Sequence, residues 1–173
     1  MTSLSAPIAA LSRPAALGIV VALLATGTLG AANYFEHVVG LAPCQLCLYQ
    51  RLPWWIALGL ACLAILGRRA PLVASVALGL AALALLGNVG LAGYHVGVEY
   101  GWWAGPTGCS GGGALPSDLG SLKQSLAGPP PPRCDETPWS LFGLSMAAYN
   151  LLLSLGGAAL IVGVMRRAGA RVQ

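Results

Sequence analysis

Four long apolar runs constrain this chain more than anything else in it, at about 15–35, 52–67, 71–95 and 141–165. A bilayer core takes roughly 20 apolar residues as helix. The 173 residues are 57% hydrophobic and only 8% charged, about a third of the charge of an ordinary soluble domain. Ala, Gly and Leu dominate all four runs, and small residues let helix backbones approach closely in lipid. The predicted fold is therefore an all-α membrane protein: a four-transmembrane-helix bundle forming a single integral membrane domain. The first run reads as a span rather than a cleaved signal peptide, since no small-residue cleavage site precedes a soluble domain. In the second run Pro53 either opens the helix or bends it.

A net charge of +4 raises the question of nucleic acid, but the basic residues form no stripe and no such partner is expected. They report topology instead. Arg13, Arg68, Arg69, Arg166, Arg167 and Arg171 fall at the chain ends and between runs two and three, marking the cytoplasmic side of the lipid bilayer. Arg51, Lys123 and Arg133 are left for the opposite side, with all five acids: Glu36, Glu99, Asp118, Asp135 and Glu136. Both termini are then cytoplasmic, and two outer loops cover about 36–51 and 96–140. Trp54, Trp55, Trp102, Trp103 and Trp139 lie near outer span ends, as an aromatic belt does, and none is assigned chemistry.

The chemistry concentrates in Pro43-Cys44-Gln45-Leu46-Cys47-Leu48-Tyr49-Gln50-Arg51. In a helix opened by Pro43, Cys44 and Cys47 share one face and Arg51 continues it. A helix N-terminus and a guanidinium both stabilise a thiolate. Two thiols at this spacing close a reactive disulfide or bind a soft metal such as zinc, and spacing alone does not choose. Cys44, Cys47, Cys109 and Cys134 all fall on the non-cytoplasmic side, where disulfides persist. Cys62 lies inside span two and reads as a small packing residue.

The longer outer loop is built to move. Gly111-Gly112-Gly113 and Pro129-Pro130-Pro131-Pro132 bracket one short segment in which Leu115, Leu119, Leu122 and Leu126 recur at helical spacing. Ser117 or Asp118 caps it and Gly128 ends it. Too short to span and apolar along one stripe, it is expected to lie as an amphipathic helix on the membrane surface or against the bundle. A flexible chain from Cys109 to Cys134 spans about 25 to 30 Å, enough for Cys134 to visit Cys44.

Two segments carry a resemblance. Phe35-Glu36-His37-Val38, Leu41, Pro43-Cys44-Gln45-Leu46-Cys47, Tyr49 and Arg51 resemble the first outer loop of the bacterial disulfide bond formation protein B (DsbB) family. Cys134-Asp135, Trp139 and Leu141-Phe142-Gly143-Leu144-Ser145-Met146 resemble that family's second loop entering its fourth span. Gln50 stands where an acid often precedes the arginine. Gly108, Ser110 and the triple glycine replace a longer, less glycine-rich stretch, which bears on partner choice more than on mechanism.

The resemblance implies an inner-membrane enzyme with two redox-active disulfides, Cys44–Cys47 and Cys109–Cys134. It oxidises a periplasmic thioredoxin-fold thiol oxidase (DsbA-like) and passes the electrons to membrane quinone, ubiquinone or menaquinone. The partner's thiolate attacks Cys109 and frees Cys134, which attacks Cys44 and leaves Cys47 as a thiolate facing the quinone. Arg51 supports that thiolate and the charge developing on the quinone oxygen. His95 corresponds in position to a quinone-site histidine, and its other reading is an interfacial hydrogen-bonder. His37 has a packing or orienting role.

Other readings use the same cysteines. All four as thiolates make a workable zinc set, and two structural disulfides would staple a membrane scaffold. A transporter fits less well, because the spans carry almost no ionisable residues. No haem-attachment motif, dinucleotide fingerprint or P-loop occurs, so a redox role needs a diffusible acceptor.

Overall fold

The structure, a computed structural model, describes residues 14–106, 109 and 132–170. The amphipathic segment expected around Leu115–Leu126 lies outside the described residues, as do Arg13, Arg171, Asp118 and Lys123. Among the described residues the fold has four long helices: α1 (Pro14–His37), α2 (Gln45–Leu66), α3 (Pro71–Glu99) and α4 (Met146–Ala170), with a short 3₁₀ turn at Gly67–Arg69. All four are long and apolar enough to cross a membrane. At 1.5 Å per residue the 29-residue α3 is about 43 Å long. That exceeds a hydrocarbon core of about 30 Å, so an end of α3 reaches past it.

Many large side chains point out, and the core is rich in small ones. Leu23, Leu72 and Leu83 are exposed, whereas Ala25, Ala57, Ala61, Ala74, Ala77 and Ala81 are buried in the core. Hydrocarbon solvates leucine as well as a protein interior does, so the interior is left to residues that allow close approach. Gly18 shows the effect: a Cβ there would stand 3.1 Å from the Ala61 carbonyl oxygen and from Ile65. Cys62 is exposed on the outer face of α2 rather than packed between helices.

The starts of α2 and α4 differ from the expected spans. α2 begins at Gln45 rather than near Leu52, and it runs through Pro53. The missing proline N–H leaves only the Tyr49 carbonyl without its helical donor. α4 begins at Met146 rather than Leu141, because residues 140–145 form a two-stranded hairpin pairing Ser140 with Ser145 and Leu141 with Leu144. Its turn is Phe142-Gly143 with φ of 51° and 78°, and two positive φ values give the twist that a two-residue hairpin needs.

The C-terminal end of α3 is fixed by the chain that follows it. The Trp103 indole N–H donates to the Tyr94 carbonyl, the Tyr94 hydroxyl to the Ala104 carbonyl, and the two rings stack at 5.9 Å. Trp103 lies flat on Gly97, where any Cβ would overlap its ring. This strap leads directly to Cys109.

Candidate active site

α2 starts at the cysteine pair. Cys44 is its N-cap, and the sulfur accepts the Cys47 backbone N–H at 3.4 Å. Pro43 thus stands one residue before the cap instead of in the first turn. The two sulfurs are 3.1 Å apart as free thiols, on one face as the spacing requires. Cys109 and Cys134 are joined as a disulfide with Cα atoms 5.2 Å apart, and the Cys134 N–H donates to the Cys109 carbonyl.

These two thiol pairs are packed together. Cys44, Cys109 and Cys134 are buried in one cluster with Leu46 and Val98, against Leu91, Tyr94 and Cys47. The disulfide is therefore covered in this state, although the loop that bears it reads from sequence as built to move. Cys44, His95 and Cys134 bring their ligating atoms within 4.8 Å of one another. A four-thiolate metal set would require the Cys109–Cys134 bond to be opened first.

The Cys44 thiol is lowered from 9.0 to about 4. The chief cause is the hydrogen bond from the Cys47 side chain. Burial opposes it, and His95 and the Cys47 backbone N–H add to it. A thiolate at a helix N-terminus is the nucleophilic form.

His95 projects from α3 with Nε2 3.6 Å from the Cys44 sulfur and Nδ1 2.8 Å from Gln50 Nε2. Behind it a buried polar chain crosses three helices. Gln50 Oε1 accepts from Asn150, whose oxygen accepts the Trp54 indole N–H at 2.6 Å and an Asn88 amide N–H at 3.3 Å. Asn88 also donates to Ser154 at 2.8 Å. Sequence reasoning missed this chain: it treated Gln50 as a departure and Trp54 as an interfacial aromatic, yet Trp54 is 1% exposed. Asn88 and Asn150, uncharged amides in apolar runs, were the available signal, since amides hydrogen-bond across helices in lipid.

Arg51 is paired with Glu36 at the end of α1. This tie holds the guanidinium at the wall of a cavity of about 410 Å³ that also touches Cys44, Cys47 and His95. Leu29, Phe35, Trp139 and Leu153 supply apolar lining. A cavity that combines thiols, Arg51 and His95 with largely apolar lining suits a flat ring with a hydrocarbon body. His37 is exposed at the end of α1. Beside Cys134, Arg133 grips Asp135 through two hydrogen bonds and holds its carboxyl below the usual range.

Comparison with known proteins agrees with this arrangement. The chain is 29% identical over 166 residues to disulfide bond formation protein B of Stutzerimonas stutzeri, covering 86% of this chain and 92% of that one. It is 28% identical over 139 residues to the Rickettsia prowazekii protein RP370, itself uncharacterised, covering 79% and 77%. A segment of 54 residues is 44% identical to disulfide bond formation protein B 1 of Pseudomonas aeruginosa, about a third of each chain at 31% and 32%. The family profile described as disulfide bond formation protein DsbB matches residues 14–164, and the chain belongs to that family of membrane thiol oxidoreductases for disulfide bond formation.

Proposed function

We propose that this protein oxidises a periplasmic thioredoxin-fold thiol oxidase of the DsbA type and delivers the two electrons to membrane quinone, from the inner membrane with both termini cytoplasmic. The observation that carries this reading is the single cavity touching Cys44, Cys47, Arg51 and His95, with the second cysteine pair packed against its thiol end. The chemistry of the lining fits a quinone, with thiols, Arg51 and His95 set in largely apolar surroundings. A bound ubiquinone or menaquinone would supply a two-electron, two-proton acceptor as the Cys44–Cys47 bond forms.

The remaining steps belong to the cysteines. The partner's thiolate attacks Cys109, breaking Cys109–Cys134 and releasing the Cys134 thiolate. Cys134 attacks Cys44 of the Cys44–Cys47 disulfide, and Cys47 leaves as a thiolate. The partner's second thiol then resolves its bond to Cys109, and Cys109 resolves the Cys44–Cys134 bond. The partner is left oxidised and Cys44 and Cys47 reduced, with two electrons moved and every sulfur accounted for. The described state, with Cys109–Cys134 joined and Cys44 and Cys47 free, corresponds to the point at which both electrons rest beside the cavity. The Cys47 thiolate belongs to the earlier moment, when Cys44 is bonded to Cys134.

In this scheme Arg51, steadied by Glu36, supplies positive charge at the cavity wall, and His95 supplies an N–H at the Cys44 sulfur. The test is turnover by purified, metal-free protein with a reduced thioredoxin-fold partner and a quinone. Equal electron counts in partner oxidation and quinone reduction support the reading. No turnover across several partners and quinones, with stoichiometric zinc uptake, would replace it with the metal-binding one.

A further inference from the structure

We propose that the indole N–H of Trp54 decides, through Asn150 and Gln50, which ring nitrogen of His95 carries its proton, so that His95 presents Nε2–H to the Cys44 sulfur. Trp54 is thereby a positioning residue, acting on the thiol from about three helical turns further along α2 and by way of α4. The idea deepens the thiol-exchange reading, because it concerns the nucleophile of that same site.

An indole nitrogen donates and never accepts, and Trp54 is buried at 1% exposure. Its bond to Asn150 at 2.6 Å therefore requires the amide oxygen of Asn150 to face it. The Asn150 NH₂ is then turned toward Gln50, which must answer with its oxygen. Gln50, 3% exposed, has its own NH₂ left for His95 Nδ1 at 2.8 Å. Nδ1 accepts, so the proton of a neutral imidazole sits on Nε2, 3.6 Å from the Cys44 sulfur. Every link runs in one direction because its first member has only one role.

Flipping the chain would aim an indole N–H at an amide N–H inside the bundle. Asn88 does not set the direction: its NH₂ adds a second donor to Asn150 Oδ1 and bonds Ser154, while its own oxygen lacks a partner among the described residues. Ser154 both donates and accepts, so that end is reversible. The other titratable groups at the site are Cys47 on α2, Glu99 on α3, which Ser145 contacts from the start of α4, and Arg51, tied to Glu36 of α1. Cys134 is held in its disulfide. In the opposite tautomer a lone pair would face the sulfur and favour the thiol over the thiolate.

Imidazole ¹⁵N shifts of the full-length protein, labelled at histidine in lipid nanodiscs without quinone or partner, test this directly. The chain has two histidines, and His37→Gln removes the other signal. The expected result is a single Nε2–H tautomer for His95 in the parent. A second, Nδ1–H signal is expected in Trp54→Phe, which removes the donor and keeps an aromatic ring, and in Gln50→Leu, which cuts the chain next to the histidine. Cys44 alkylation at fixed pH should slow several-fold in both. An Nδ1–H tautomer in the parent protein overturns the proposal outright. A pure Nε2–H tautomer that persists in both variants also overturns it, whether or not either variant turns over quinone. Because no quinone is present, failure of the electron-transfer reading and failure of this one are told apart.

Discussion

Replacing Cys47 with alanine isolates the largest influence on the Cys44 sulfur. The Cys44 thiol stands at about 4 rather than 9.0, and the Cys47 side chain is the first cause. A hydrogen bond to a charged group contributes about 1.5–3 kcal/mol, and one pKa unit corresponds to about 1.4 kcal/mol. Losing it raises the midpoint toward the ordinary thiol value, by roughly one to two pH units. The backbone N–H of residue 47 and His95 continue to hold it below the ordinary value. The sign follows from the lowered pKa: thiolate is the populated form above the midpoint and is lost as pH falls through it. The rate of Cys44 alkylation by a small reagent, followed by mass spectrometry from about pH 3 to 8 with Cys62 replaced by alanine, reads both midpoints. Near pH 5 the parent remains mostly thiolate and the variant falls to about half or less. A parent midpoint near the ordinary thiol value, or the same low midpoint in both proteins, would refute the reasoning.

Three further outcomes are expected. Arg51→Ala strips Glu36 of its partner and should raise the quinone concentration for half-maximal turnover about tenfold or more, the loss of one charge-assisted hydrogen bond; quinone kinetics matching the parent at all concentrations would remove Arg51 from the site. Cys109→Ser should abolish partner oxidation while a small dithiol still reduces quinone through Cys44 and Cys47, as separate assays of the two half-reactions will report. Gly97→Val pushes Trp103 off α3, at a cost of about 1–3 kcal/mol for overpacking. That should lower the unfolding midpoint, red-shift the tryptophan emission and make Cys109–Cys134 easier to reduce.

The covered disulfide changes how the long outer loop is understood. Sequence alone describes a loop built to move, with Cys109 and Cys134 just outside its triple glycine and its proline run. In the structure Cys134 is fully buried beside Cys44, and the Trp103–Tyr94 strap ties the approach to Cys109 onto α3. Attack on Cys109 by a protein thiol therefore requires this cover to part, so access as well as thiolate chemistry governs the first exchange.

Helix count, the end of the bundle that carries the thiols, and the shared face of Cys44 and Cys47 could all be read from the chain alone. They depend on local rules: run length against bilayer thickness, and residue spacing against helical period. The apolar run that marks span two begins only after Gln50 and Arg51, whereas the helix opening at the cysteine pair continues through both and through Pro53. Hydropathy reports solvent and not backbone hydrogen bonding. Tertiary structure alone decided that Cys44 meets His95, that Arg51 meets Glu36, and that Trp54, Gln50, Asn88 and Asn150 join in one buried chain. Those partners are separated by 15 to 100 positions, and a hydrogen bond is satisfied by a donor and an acceptor within about 3 Å in space. Only the packing of the four helices brings them that close.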